Sequence, residues 1–274
     1  MASSSSPLGL IAGASQMPRV VAHEATAAGR TVQVAAIRGI TDPSIEESAA
    51  VVRWLEWSDL PGFFALLQDW QAAGVVEAIM AGKVEQQKMY DRDDTGQMEE
   101  LIEGLPTGHT DELLTAVANV LAGVGIELQP STQYLSAFMP GAGLVAGRPL
   151  DAREMGDVEH GWSIAKALGQ HDIGQTIVVK ERAVVAVEGM EGTDACIRRA
   201  GELAGPGTVV IKVAKPDQDL RFDVPVIGVD TVAAMRDAGA GALAFEAGST
   251  VVFDAAEITT AAGDDLGLVA YAGG

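Results

Sequence analysis

A short apolar run, Leu8 to Ala12, stops at Gly13 and passes through ASQMP into VVAHEATAAG, and this junction constrains the fold more than any other feature of the chain. The run has the length of a buried strand. Pro18 is tolerated only in the first turn of a helix, Ser15 can cap that turn, and Gly29 can end it. A second strand, Thr31 to Ala36, follows directly. The pattern is strand, tight turn, helix, strand, which is the opening of a Rossmann-like parallel sheet. Its first turn gathers helix N–H groups at the carboxyl edge of the sheet, where an anion can be held. The dinucleotide fingerprint G-x-G-x-x-G is absent, and the second strand ends in AAIRG without the acidic residue that would take an adenosine ribose. A Rossmann-like topology that binds no dinucleotide is therefore expected.

The same alternation continues. Val51 to Trp57 precedes Asp59-Leu60-Pro61, which opens a helix through Phe63, Phe64, Leu66, Leu67 and Trp70 to Gly74. The aromatics recur at helical spacing and read as core. Val75 to Ala81 is a buried strand that empties into Gly82-Lys83. A lysine just past the carboxyl end of a parallel strand faces the crevice where open α/β sheets bind ligands, so Lys83 is a candidate phosphate contact, with a solvated loop lysine as the alternative. Tyr90 to Pro106 is polar and acidic, a surface helix or loop. His109 stands in a turn before a helix that Thr110 can cap; with no second histidine or cysteine nearby, zinc is not expected. Ile126 to Gln129 closes the first sheet. The boundary is placed near Tyr134, giving a nucleotide-side domain over 1–134 and a catalytic α/β domain of mixed type over 135–274. Met139 to Pro149, rich in glycine and proline, reads as a loop or linker.

In the second half, a helix through Val158, Trp162, Ile164, Ala165 and Leu168 ends at Gly169, and DIGQ (172–175) leads into a strand, Thr176 to Val179. A hairpin turn at Arg182 precedes Val184 to Glu188. In EGTD (191–194), Thr193 or Asp194 can cap the helix that carries Cys196, Ile197 and Arg199. Val209 to Val213 is a buried strand with Lys212 inside it, and a lysine there must snorkel, pair with a carboxylate, or meet a ligand. KPDQDLRFD then alternates in charge before an expected strand, Val226 to Val229. Carboxylates and cations interleaved around one apolar strand can neutralise a phosphate, position a water and coordinate a hard divalent cation.

Composition narrows the partners. A formal charge of −20 repels nucleic-acid backbones and anionic leaflets, so no nucleic-acid partner is expected. Seven of the 18 Lys and Arg residues nevertheless lie between Lys180 and Arg221, which suits an anionic substrate. The single cysteine, Cys196, reads as a small core residue rather than a nucleophile. MASSSSP has neither a basic nor an apolar leader segment, and no apolar run is long enough to span a bilayer. A cytoplasmic protein with a disordered tip, at most peripheral to the inner membrane, is expected.

Several motifs together resemble the LpxI family of UDP-2,3-diacylglucosamine pyrophosphatases: GLIAGASQMP at 9–18, AGKV at 81–84, DIGQ, VEGMEGTDACIRR at 187–199, KVAKPDQDLRFDVPVIG at 212–228 and DDLGL at 264–268. The resemblance spans nearly the whole chain. It implies a two-domain α/β homodimer that uses Mg²⁺ to hydrolyse UDP-2,3-diacylglucosamine to UMP and lipid X in lipid A biosynthesis. Asp223 falls on the family's essential aspartate, as metal ligand or as the base orienting water. Thr193, Asp194 and Lys215 join it as catalytic candidates, and Glu191 joins it as a metal-ligand candidate. Gly13, Ala14, Ser15 and Gln16 fall on the nucleotide-side turn; Lys83, Gln175, Lys212, Gln218 and Arg221 complete the substrate-binding set. The rival reading is a non-catalytic nucleotide-sugar or lipid-phosphate binding protein of the same fold. Two departures, Ala14-Ser15 where the family has further glycines and GHTDELL at 108–114, both fall in the first domain.

Overall fold

A computed structural model describes residues 6–57, 59–83, 110–216, 218–222 and 224–273, with the backbone alone at 110–113. The chain forms two compact units. One comprises residues up to 135 together with 219–222, and the other comprises residues 136–218 and 224–274.

The first unit is a parallel sheet of β1 (Leu8–Ala12), β2 (Val32–Ile37), β3 (Val51–Leu55), β4 (Glu77–Ala81) and β5 (Glu127–Gln129), in the order β3-β2-β1-β4-β5. The chain winds outward from β1 through β2 to β3 and then crosses back to β4, which makes the β1/β4 junction the topological switch point. Helix α1 (Met17–Ala27) carries Pro18 in its first turn, and Gly29 just beyond it has φ 85°. Helix α2 (Leu60–Ala72) is capped by Asp59, whose carboxylate accepts from Gly62 N–H at 2.8 Å. Trp70 is buried against β1, where a Cβ on Gly9 would stand 2.6 Å from its ring. A glycine is required there for close approach. Of the expected core aromatics, Phe63 is partly buried against this core, whereas Phe64 is 48% exposed because neighbouring helical positions point about 100° apart. Helix α3 (Thr110–Gly123) precedes β5.

The second unit contains a mixed sheet of β6 (Gly143–Gly147), β7 (Thr176–Lys180), β8 (Ala183–Val187), β9 (Val209–Lys212), β11 (Ala242–Glu246) and β13 (Gly267–Tyr271), in the order β6-β13-β11-β9-β7-β8. Strands β9, β11 and β13 are parallel, and β6, β7 and β8 each run antiparallel to the neighbour they adjoin. A short parallel pair, β10 (Val226–Ile227) and β12 (Val251–Val252), completes the pairing. The helices are α4 (Ala152–Gln170), α5 (Thr193–Ala204), α6 (Val229–Ala238) and α7 (Ala255–Ala262).

Strand periodicity assigns each side chain to a face. Val178, Val210, Leu243, Phe245 and Leu268 pack with Cys196, Ile197, Val232, Met235 and Ile258 on the side of α5, α6 and α7. The alternate residues Ile177, Val179, Val209, Ile211, Ala242, Ala244 and Val269 pack with Val158 and Ala165 of α4. Gly161 lets α4 lie against the sheet, since a Cβ there would overlap Ile211. Cys196 is fully buried as expected, and burial pushes its thiol up to about 11.

Two expectations change here. The glycine-rich stretch 139–149 is not simply a linker, because Gly143–Gly147 is an edge strand paired antiparallel to β13. An edge strand needs one ladder and one buried face, and a glycine-rich segment can supply both. The strand expected over Val226 to Val229 stops at Ile227; Gly228, extended at φ −130°, starts α6 at Val229 instead. The Lys180–Ala183 hairpin is as expected. Glu181 and Arg182 both have positive φ, 51° and 61°, which is the requirement of a type I′ turn. The buried carboxylate of Asp157 accepts from both their N–H groups, at 3.1 and 2.6 Å, and holds this turn without glycine.

Candidate functional site

The sheet of the second unit delivers its polar residues to one end. Thr176 opposes Lys212 across the β7/β9 ladder, and Glu188 N–H donates to Thr176 carbonyl at 2.9 Å, so three consecutive strands place these residues side by side. Counting in twos from Val178 and Val210 puts Thr176 and Lys212 on the α5 face, where they meet the first residue of that helix. Lys212 Nζ donates to Thr193 Oγ1 at 2.7 Å, and Thr193 Oγ1 donates to Glu188 Oε1 at 2.8 Å. Thr176 Oγ1 lies 3.4 Å from the same hydroxyl, and Gln175 N–H donates to Glu188 Oε2 at 3.3 Å. A cation, a hydroxyl and a carboxylate are thus joined in series, with Lys212 only 8% exposed. Each bond has a charged end, which makes it stronger than a neutral one.

Two glycines make this arrangement possible. Gly192, the residue before α5, has φ 83° and ψ 167°, a region that only glycine occupies readily. It turns the chain so that Thr193 enters the helix with its hydroxyl toward Lys212. Neither Thr193 nor Asp194 serves as the N-cap expected from sequence, since the cap position is Gly192 and no side chain caps it. Thr193 faces the sheet instead, while Asp194 accepts from Thr231 Oγ1 of α6 at 3.2 Å. Gly174 of DIGQ lies directly on Glu188, where a Cβ would overlap the carbonyl oxygen.

Lys215, the next cation, pairs with Asp172 at 2.6 Å, joining the KPDQ and DIGQ turns. Asp172 adopts φ 54° just past α4, a conformation that Asp tolerates better than most residues. The backbone N–H of Lys215 donates to Gln218 Oε1 at 2.9 Å, and Val213 N–H donates to Gln175 carbonyl at 2.9 Å. Gln175, Thr193, Lys212, Lys215 and Gln218 therefore sit on connected turns of one unit. Glu191 is committed elsewhere: its carboxylate accepts from Arg199 at 2.6 Å and from Gly189 N–H at 2.9 Å, and backbone N–H donation foremost, its own included, holds it below the usual carboxylate range. Among the described residues no three His, Cys, Asp or Glu side chains converge in a group that could hold a metal ion. Asp223 and His109 lie outside the described residues.

The remaining candidates belong to the first unit. At its switch point the loops after β1 and β4 are bound to each other: Gly13 N–H donates to Ala81 carbonyl at 2.8 Å, Ala14 N–H to Lys83 carbonyl at 2.8 Å, and Lys83 N–H to Ala14 carbonyl at 2.9 Å. The N–H groups of Gly13 and Ala14 are consumed by β-type pairing and do not point at a phosphate, which is where the turn differs from an open anion cradle. Ser15, at φ 82°, accepts from Met17 N–H at 3.3 Å, although Gln16 is the residue at the cap position. Ser15 and Gln16 line an open cleft of about 1000 Å³ with Arg19, Arg38, Thr41 and Trp54. Arg221 also belongs to this unit, and its guanidinium is held by Asp219 at 2.6 Å and stacks over Phe222 at 4.8 Å. The Asp219 carboxylate raises the Arg221 pKa, and Arg221 lowers that of Asp219.

Comparison with known proteins now bears on the chain. The profile of the LpxI N-terminal domain matches residues 7–138 and that of the LpxI C-terminal domain residues 141–270. The chain belongs to the LpxI family. It is 34% identical to the UDP-2,3-diacylglucosamine pyrophosphatase LpxI of Caulobacter vibrioides, over 95% of each chain. The LpxI C-terminal match contains the whole Lys212–Thr193–Glu188 series. Thr176 was not among the sequence candidates for the site, whereas Glu188 stood in the VEGMEGTDACIRR stretch.

Proposed function

We propose that this chain hydrolyses the pyrophosphate bond of UDP-2,3-diacylglucosamine, releasing UMP and 2,3-diacylglucosamine 1-phosphate (lipid X) in lipid A biosynthesis. The observation that carries the proposal is the match, over 95% of both chains, to a pyrophosphatase of that name. The chemistry of the second unit suits it. A water oxygen forms a bond to one phosphorus, the bridging P–O bond breaks, and the proton lost by water passes to a carboxylate or to solvent. This reaction needs charge neutralisation on the phosphoryl oxygens and an oriented water more than a strong nucleophile. Lys212 and Lys215 are assigned the neutralising role. Thr193 orients Lys212, and Asp223 is assigned the family aspartate's role, as metal ligand or as the base that orients water. Mg²⁺ is proposed as cofactor, supplying charge neutralisation when bound; it commonly takes one or two protein carboxylates and completes its shell with substrate phosphates and water. A cytoplasmic homodimer with at most peripheral contact to the inner membrane, where a diacylated substrate partitions, is part of the same proposal. No helix among the described residues is long and apolar enough to cross a membrane.

The test is an assay of UMP release from UDP-2,3-diacylglucosamine with Mg²⁺, comparing wild type with Asp223→Ala. Release by the wild type, abolished by the substitution and by EDTA, is expected. Equal turnover by the two proteins would refute the assignment.

A further inference from the structure

The polar series at Lys212 occupies one face of the sheet end, and a second polar group occupies the opposite face. Counting in twos from Ala242 and Ala244 puts Glu246 on the α4 side, where Lys166 Nζ approaches its Oε2 at 2.6 Å. The same carboxylate oxygen accepts from Ala214 N–H at 2.7 Å, while Lys166 Nζ donates to Ala214 carbonyl at 2.9 Å. Both polar groups of one peptide residue are therefore held by one side-chain ion pair. The register explains why. The β9/β11 ladder ends at the Lys212–Phe245 pair, so the chain beyond it leaves the sheet with Ala214 buried and no neighbouring strand on that side. Buried backbone groups without partners are costly. Glu246 and Lys166 replace the missing ladder bonds with side chains.

Ala214 stands between the two lysines of the site, two residues after Lys212 and one before Lys215. On its other flank the chain is held by Val213 N–H donating to Gln175 carbonyl at 2.9 Å. We infer that Lys166 and Glu246 are positioning residues, which fix Ala214 and through it the directions in which Lys212 and Lys215 present their charges to a diphosphate. Neither residue touches substrate in this scheme. The inference rests on the hydrolase reading above and names two residues that the motifs do not contain.

The test uses the full chain with Glu246→Ala, Lys166→Met and the conservative Lys166→Arg, read by steady-state hydrolysis, thermal unfolding and amide exchange at Ala214. Glu246→Ala and Lys166→Met are expected to lower kcat/KM at least tenfold with the folded fraction unchanged at the assay temperature, and to accelerate Ala214 exchange at least tenfold. Lys166→Arg, which keeps charge and donors, is expected to retain at least a third of wild-type kcat/KM. Accelerated exchange with kcat/KM within twofold of wild type overturns the positioning role. Unchanged exchange overturns the clamp itself, and so does a loss of activity that merely tracks the unfolded fraction. If the wild type hydrolyses nothing, the hydrolase reading fails and the positioning role with it, whereas the exchange measurement still decides the clamp.

Discussion

Thr193→Val removes one hydroxyl, keeps the side-chain volume and the β-branch, and breaks the series at its centre. Lys212, 8% exposed, loses the acceptor at 2.7 Å, and Glu188 loses the donor at 2.8 Å. Hydrogen bonds to charged groups contribute about 1.5–3 kcal/mol each. Glu188 and Thr193 are half-exposed, and Glu188 keeps the Gln175 N–H, so water and the remaining donors recover part of the loss. A net destabilisation of about 2–4 kcal/mol follows from the lower end of that range. At roughly 3 °C per kcal/mol for a unit of this size, Tm should fall by about 6–12 °C. Thr193→Ser keeps the hydroxyl and should lie within about 1 kcal/mol of wild type. The measurement is thermal and urea unfolding of the full chain, with near-ultraviolet circular dichroism to follow packing. A Tm for Thr193→Val within about 2 °C of wild type, or an equal drop for the serine variant, would show that the hydroxyl does not link the two charges.

Further substitutions probe other elements. Gly174→Ala forces a Cβ into the Glu188 carbonyl and should destabilise by about 1–3 kcal/mol, whereas Gly189→Ala meets only the movable end of Glu191 at 3.0 Å and should stay within about 1 kcal/mol; equal effects in denaturant titrations would contradict the close-approach argument. The paired guanidinium of Arg148, bonded to both Glu154 oxygens at 2.7 Å, holds that carboxyl below its ordinary 4.5. A depressed folded-state pKa adds stability above the unfolded-state value, lost as pH falls from there through the folded-state value. Glu154→Gln should therefore lower Tm at pH 7 and flatten its fall below about pH 4.5, and an unaltered acid slope would count against this carboxylate as a source of acid lability.

The elements were largely legible from sequence because their causes are local. Leu8 to Ala12 ending at Gly13, Pro18 in a first turn, Asp59 before Leu60-Pro61 and the Arg182 hairpin each follow from backbone preferences over a few residues. The Asp-x-x-Glu spacing of Asp151 and Glu154, a capping box at the start of α4, is equally local in its cause. Edge status was not legible: whether Gly143–Gly147 pairs with anything depends on β13, 120 or more positions further along the chain.

For the site the division is sharper. Motif content alone pointed to DIGQ, EGTD and KPDQ, since charges next to short buried strands are informative wherever they occur, and the structure connects these three turns within one unit. Partner choice was decided only in three dimensions. Lys212 donates to Thr193 because the β7/β9 register and the Gly192 turn bring that hydroxyl within reach. Glu191, adjacent to that turn, is turned instead toward Arg199, one helical face away. Side-chain pairing depends on which strands are neighbours and in what register, and those are consequences of packing the whole unit, which no window of sequence contains.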